Sequence, residues 1–151
     1  MSEARKPPIA WPKPWLVSAL GFAGQGLLFA TLMFSRDEGQ EVFRNAGTGV
    51  IAYFAFVSAL GAFCGGAAVW KLMGHAGRRG VLWSLIGAVL ATALGGAIGG
   101  TLTVPGMGTI AAPFLIFGSM AEVPWLGAVW LILTFAVHWA VWSSRGRERA
   151  A

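Results

Sequence analysis

The sequence predicts an all-α integral membrane protein with four transmembrane helices. Both termini are expected in the cytoplasm, with an apolar re-entrant or cap-like segment between the third and fourth helices. Three observations predict this. Four windows (Trp15–Ser35, Ala46–Trp70, Val81–Val104 and Trp125–Ser143) contain no Asp, Glu, Lys or Arg, and about 20 apolar residues in helix cross a hydrocarbon core. The eleven Lys and Arg residues fall as three, two, three, none and three around those windows. Finally, the tryptophans gather near the window ends, where an amphipathic indole meets the headgroup layer.

Residues 1–14 form a basic tail that includes Arg5, Lys6 and Lys13, with Pro7, Pro8, Pro12 and Pro14 among them. Proline at this density favours extended polyproline geometry, which acts as a stiff juxtamembrane spacer or as a docking ligand. The first window, about 15–35, is 21 residues long. A signal-peptide core has about 7–15 residues and ends in a small-residue cleavage site, and no such site follows here. The window is therefore a retained span.

The next segment, SRDEGQEVFRN, is short and polar. Ser35 followed three residues later by Glu38 fits a capping box, in which each side chain satisfies an amide of the other's turn. Asp37, Glu38 and Glu41 could face a cation, although a solvated loop helix needs no ion, and Ca²⁺ wants six or more oxygens. The second span covers about 46–70 and leads to Lys71, His75, Arg78 and Arg79. The third covers about 81–104.

The connection that follows is unusual, because residues 80–121 carry no charge. Pro105, Gly106 and Gly108 break the third helix. The stretch 109–121 is then too short to cross and is apolar on all sides, so it lacks the polar face of a helix lying on the membrane surface. A re-entrant or cap-like segment fits, with a loose interfacial loop as the alternative, and Pro113 is expected to interrupt any helix there. Glu122 is placed to cap the fourth span, about 125–143, where a helix N-terminus favours an anion. Residues 144–151 form a second basic tail, with Arg145, Arg147 and Arg149.

Orientation follows from the cations. If the first span starts inside, the cytoplasmic segments hold nine of the eleven and the outer ones two, as the positive-inside rule requires. A bacterial inner (cytoplasmic) membrane is the expected location. With 11% charged residues against about 25% in soluble domains, the basic balance belongs to topology and lipid headgroups rather than to nucleic acid.

Candidate functional residues are few. Gly87, Ala91, Gly95 and Gly99 recur at intervals of four, beside Gly96 and Gly100, and the second span carries Gly61 and Gly65. This spacing lets helix backbones approach closely, within the chain, in a second copy or against another membrane subunit. His138 lies inside the fourth span, where an ionisable group is costly. Together with His75 it is a candidate ligand for haem or a chlorophyll-type pigment, or else a structural, hydrogen-bonded histidine. Gln25, Tyr53, Ser58, Thr92, Thr101 and Thr103 could line a solute path or bond across helices, and Pro105, Gly106, Gly108 and Pro113 could border such a path. The single Cys64 allows no internal disulfide. No nucleophile has an evident base and no metal cluster is spelled out, so an enzyme is not expected.

These residues predict an accessory or structural subunit of a larger membrane complex, acting through its Gly-rich helix faces. One alternative is a small oligomeric transporter or channel that uses the segment 105–121. Another is a haem- or pigment-binding subunit.

Overall fold

The computed structural model describes residues 12–35 and 47–150, with the side chains of the last two left out. Among the described residues five α-helices follow one another: α1 (Pro14–Phe34), α2 (Thr48–Val69), α3 (Gly77–Thr103), α4 (Met107–Glu122) and α5 (Pro124–Ala150), with a 3₁₀ turn at Trp70–Leu72 after α2. No strand occurs among the described residues. Four of the helices, all but α4, are long and apolar enough to cross a membrane. The Ser35–Glu38 capping box, the acidic trio and most of the proline-rich tail lie outside the described residues.

Proline opens α1 and α5, at a position where its missing N–H is no loss and its fixed φ is already helical. The helices run further than the apolar windows. Gly77, Arg78 and Arg79 form the first turn of α3, and α5 continues through Arg145 and Arg147 to Ala150. Charged residues end a hydropathy window without ending a helix, because Arg is a good helix former. Residues 144–150 of the basic tail are the last turns of α5.

Small residues set the packing. Ser18 Oγ donates to the carbonyl of Gly66 at 2.9 Å. Gly26 lies so close to Ser58 and Ala62 that an added Cβ would come within 2.7 Å of the Ala62 methyl. These pairs make α1 and α2 antiparallel. A Cβ on Gly61 would strike the Gly95 carbonyl oxygen, and one on Gly65 the Ala91 carbonyl oxygen, so α2 and α3 are antiparallel as well. On the other side of the bundle, α5 runs antiparallel to α1, with Val137 against Gly21. It is also antiparallel to α3, with Trp130 Nε1 donating to Thr92 Oγ1 at 3.0 Å. The result is an up-down-up-down bundle in which the start of α1 and the end of α5 share one end. Lys13, Lys71, Arg78, Arg79, Arg145 and Arg147 all belong to that end.

The turn after α2 is fixed there. Gly74 has φ of 71°, a region costly for residues with a Cβ, and a Cβ would also come within 2.7 Å of Val141. Arg145 donates to the Trp70 carbonyl at 2.9 Å, and its guanidinium lies 5.4 Å from the centre of the Trp70 ring. It thus satisfies a carbonyl at the C-terminal end of α2, where a cation also complements the helix dipole. The packed core of Phe22, Val69, Met73, Ala88, Ala91, Val137 and Val141 occupies this half of the bundle.

The other half holds the α3–α4 hairpin. Gly106, with φ of 79°, turns the chain, and α4 doubles back along α3. The Gly100 and Gly108 backbones touch, and a Cβ on Gly96 would lie 3.3 Å from the backbone of Pro113. Thr101 donates to the Ala97 carbonyl and lies 2.6 Å from Thr109, joining the two helices near the turn. The expected interruption at Pro113 is not found. The helix runs through it from Met107 to Glu122, because one lost hydrogen bond is offset where α4 packs on the glycine face of α3. At about 1.5 Å per residue, its 16 residues fall short of a bilayer core of about 30 Å.

Candidate functional site

A cavity of about 460 Å³ lies between α1, α2, α3 and α4, with Trp130 of α5 at its edge. It is partly open, and its size falls in the range of small-molecule sites, about 300–1,000 Å³. Phe29 and Met33 of α1, Phe54 of α2, and Leu115 and Ile116 of α4 supply much of the wall. Helix α3 contributes Gly95, Gly96, Gly99 and Gly100 to the lining. No Asp, Glu, Lys, Arg or His is among the lining residues.

Gln25 is the most unusual group in this wall. It is 6% exposed, and its Nε2 donates to the Trp130 carbonyl at 3.1 Å. A carbonyl can only accept, so the amide nitrogen must face Trp130. That orientation leaves Oε1 buried with no hydrogen-bond partner, and an unmade bond at a buried polar atom is costly. The Trp130 indole is itself held by Thr92, so a short chain from Thr92 through Trp130 positions Gln25. By contrast, two hydroxyls of the wall are engaged locally. Thr103 donates to the Gly99 carbonyl and Ser119 to the Leu115 carbonyl, each at 2.8 Å.

Of the residues expected to line or border a solute path, Gln25, Ser58, Thr92, Thr103 and Gly108 line the cavity. Pro113 lies behind it against Gly96. Pro105 and Gly106 form the turn beyond α3. Tyr53 sits outside, donating to the Leu102 carbonyl at 2.8 Å, one of the last-turn carbonyls of α3 that has no partner within its own helix. Trp130 belongs to the site and was not foreseen, whereas α4 falls within the segment 105–121 that the transporter reading expected to use.

The glycine faces are consumed inside the chain. Gly61 and Gly65 meet Gly95 and Ala91 on α3, Gly87 meets Leu72, and Gly96 and Gly100 meet α4. Gly99 lies within van der Waals reach of Val57. These seven glycines and Ala91 form close contacts within the bundle.

The candidate cofactor ligands lie elsewhere, at the cation-rich end. The Gly74 amide donates to His138 Nδ1 at 3.2 Å, and the hydroxyl of Ser84, a fully buried residue, bonds the same nitrogen. An amide can only donate, so Nδ1 is the acceptor and a neutral ring carries its proton on Nε2. In that form neither nitrogen offers a free lone pair to a metal. His75 follows Gly74 in the same turn. Neither histidine lines the cavity, and no cluster of three or more His, Cys, Asp or Glu occurs among the described residues. Comparison with protein families, curated proteins and solved structures finds no match.

Proposed function

We propose that this protein is a small membrane carrier that takes an uncharged, largely apolar solute into the cavity between α1, α2, α3 and α4. The observation that supports this reading is the cavity itself, an apolar space of about 460 Å³ lined in part by Gln25, whose buried amide oxygen has no partner. A charged solute would lose its hydration there and gain no counter-charge. In this reading the cation-rich end faces the cytoplasm of a bacterial cell and both termini are inside. The helix α4 is then the re-entrant segment, dipping back from the outer surface beside α3. Irregular or broken segments at membrane depth are where small transporters form their sites.

An accessory subunit that docks through its glycines would need those faces open, and they are occupied within the chain. A partner could still bind elsewhere, but no other face is marked for one.

The test uses proteoliposomes containing the purified protein and an NBD-labelled monoacylglycerol, with leaflet exchange followed by dithionite quenching. Exchange is expected to accelerate with protein and to return to the lipid-only rate in Ala111→Trp, which fills the cavity from α4. An unaccelerated rate would remove the carrier function. Photolabelling by an apolar diazirine confined to lipid-facing Phe114, and absent from Phe29 and Met33, would remove the binding site as well.

A further inference from the structure

Resting on that reading, we propose that the solute is a neutral lipid alcohol: an apolar chain or ring system with a hydroxyl that donates to Oε1 of Gln25. The walls define the apolar part. Phe29, Met33, Leu115 and Ile116 offer only dispersion contacts. The polar part follows from valence. Gln25 Nε2 is committed to the Trp130 carbonyl, so the group that remains is an acceptor. It can be satisfied only by a donor, and it has none in the structure. A ketone, ester or ether offers a further acceptor and leaves Oε1 unpaired. An ammonium would donate, but its charge would be buried without a partner. A hydroxyl satisfies the oxygen at no electrostatic cost.

Gln25 is also held in place rather than free to turn away. Its amide is fixed by Trp130, Trp130 by Thr92, and the residue is 6% exposed. A fixed acceptor discriminates between ligands because it cannot find another partner when the wrong one binds.

The experiment compares two isomers of equal size, tritiated dodecanol and undecyl methyl ether, by direct binding and by competition with wild-type protein in amphipol. The alcohol is expected to bind about tenfold more tightly, the size of one hydrogen bond to an otherwise unpaired buried group. In Gln25→Met, which keeps the bulk and loses the acceptor, the two should bind equally. If both isomers bind wild type with the same affinity, the hydroxyl assignment fails while the cavity reading stands. Discrimination that persists in Gln25→Met overturns the assignment to Gln25. If neither isomer binds, both readings fall. The wild-type comparison decides the matter even where Gln25→Met fails to assemble.

Discussion

The backbone amide of Gly74 donates to Nδ1 of His138 across 64 positions of chain, at 3.2 Å. With Ser84 on the same nitrogen, this contact ties the turn after α2 to α3 and α5 at once. A histidine within an apolar span is here a joint between three elements.

His138→Ala should therefore destabilise the bundle by about 1–3 kcal/mol, because it strands a buried amide and a buried hydroxyl. Unfolding by SDS in mixed micelles measures this. Unchanged stability, together with loss of a visible absorption band from protein purified from its native host, would restore the cofactor role.

The α2–α3 contact should not tolerate a single methyl group. Gly65→Ala drives a Cβ onto the Ala91 carbonyl oxygen, and Gly61→Ala drives one onto that of Gly95. Each should cost about 1–3 kcal/mol, as overpacking does. Gly24→Ala, where an added Cβ meets nothing within 4 Å, serves as the control and should leave the unfolding midpoint in place.

Arg145 is expected to be irreplaceable by lysine. Its guanidinium bonds the Trp70 carbonyl and lies over the Trp70 ring, and an ammonium lacks both the planar fork and the stacking face. Arg145→Lys should lose most of the stability lost in Arg145→Ala, about 1–2 kcal/mol from one charged hydrogen bond with its ring contact. A full rescue by lysine would mean that charge alone matters there.

Cysteine labelling separates the possible placements of α4. In a Cys64→Ala background, a cysteine at Phe114, which is 75% exposed, should resist a membrane-impermeant maleimide if α4 dips into the bilayer. A cysteine at Arg147 should react only when the reagent reaches the cytoplasmic side. Ready labelling at position 114 from outside would make α4 a surface cap.

The spans were legible because a bilayer asks one simple thing of a sequence, an uncharged apolar run, and Trp15–Ser35 or Ala46–Trp70 meets it without help from tertiary structure. Helix ends were less so. Arg78, Arg79 and Arg145 interrupt hydropathy yet continue the helical hydrogen bonding, and only a backbone reveals that. Interval-four glycines announced close packing but not the partner. Gly61 fits Gly95 because of the vertical register between α2 and α3, which no local pattern encodes. Gln25 stood out in sequence merely as an amide in an apolar span. Its missing partner depends on Trp130, over a hundred positions away, whose carbonyl decides which way the amide faces. Pro113 was misjudged because a proline's local cost was weighed without the glycine surface that α3 lays beneath it.

The partly open cavity has a consequence for competition. A membrane supplies acyl chains at close to the density of a neat liquid, so such a site, wherever it meets lipid, is always occupied by something. An incoming solute exchanges one set of dispersion contacts for an equivalent set, and its tail earns it almost nothing. In the proposed reading, selectivity then falls to the carbonyl oxygen of Gln25, which hydrocarbon cannot satisfy. For a carrier of the proposed kind, the bilayer would be a standing competitor for the site, and its chain length and packing would set the apparent affinity of whatever displaces it.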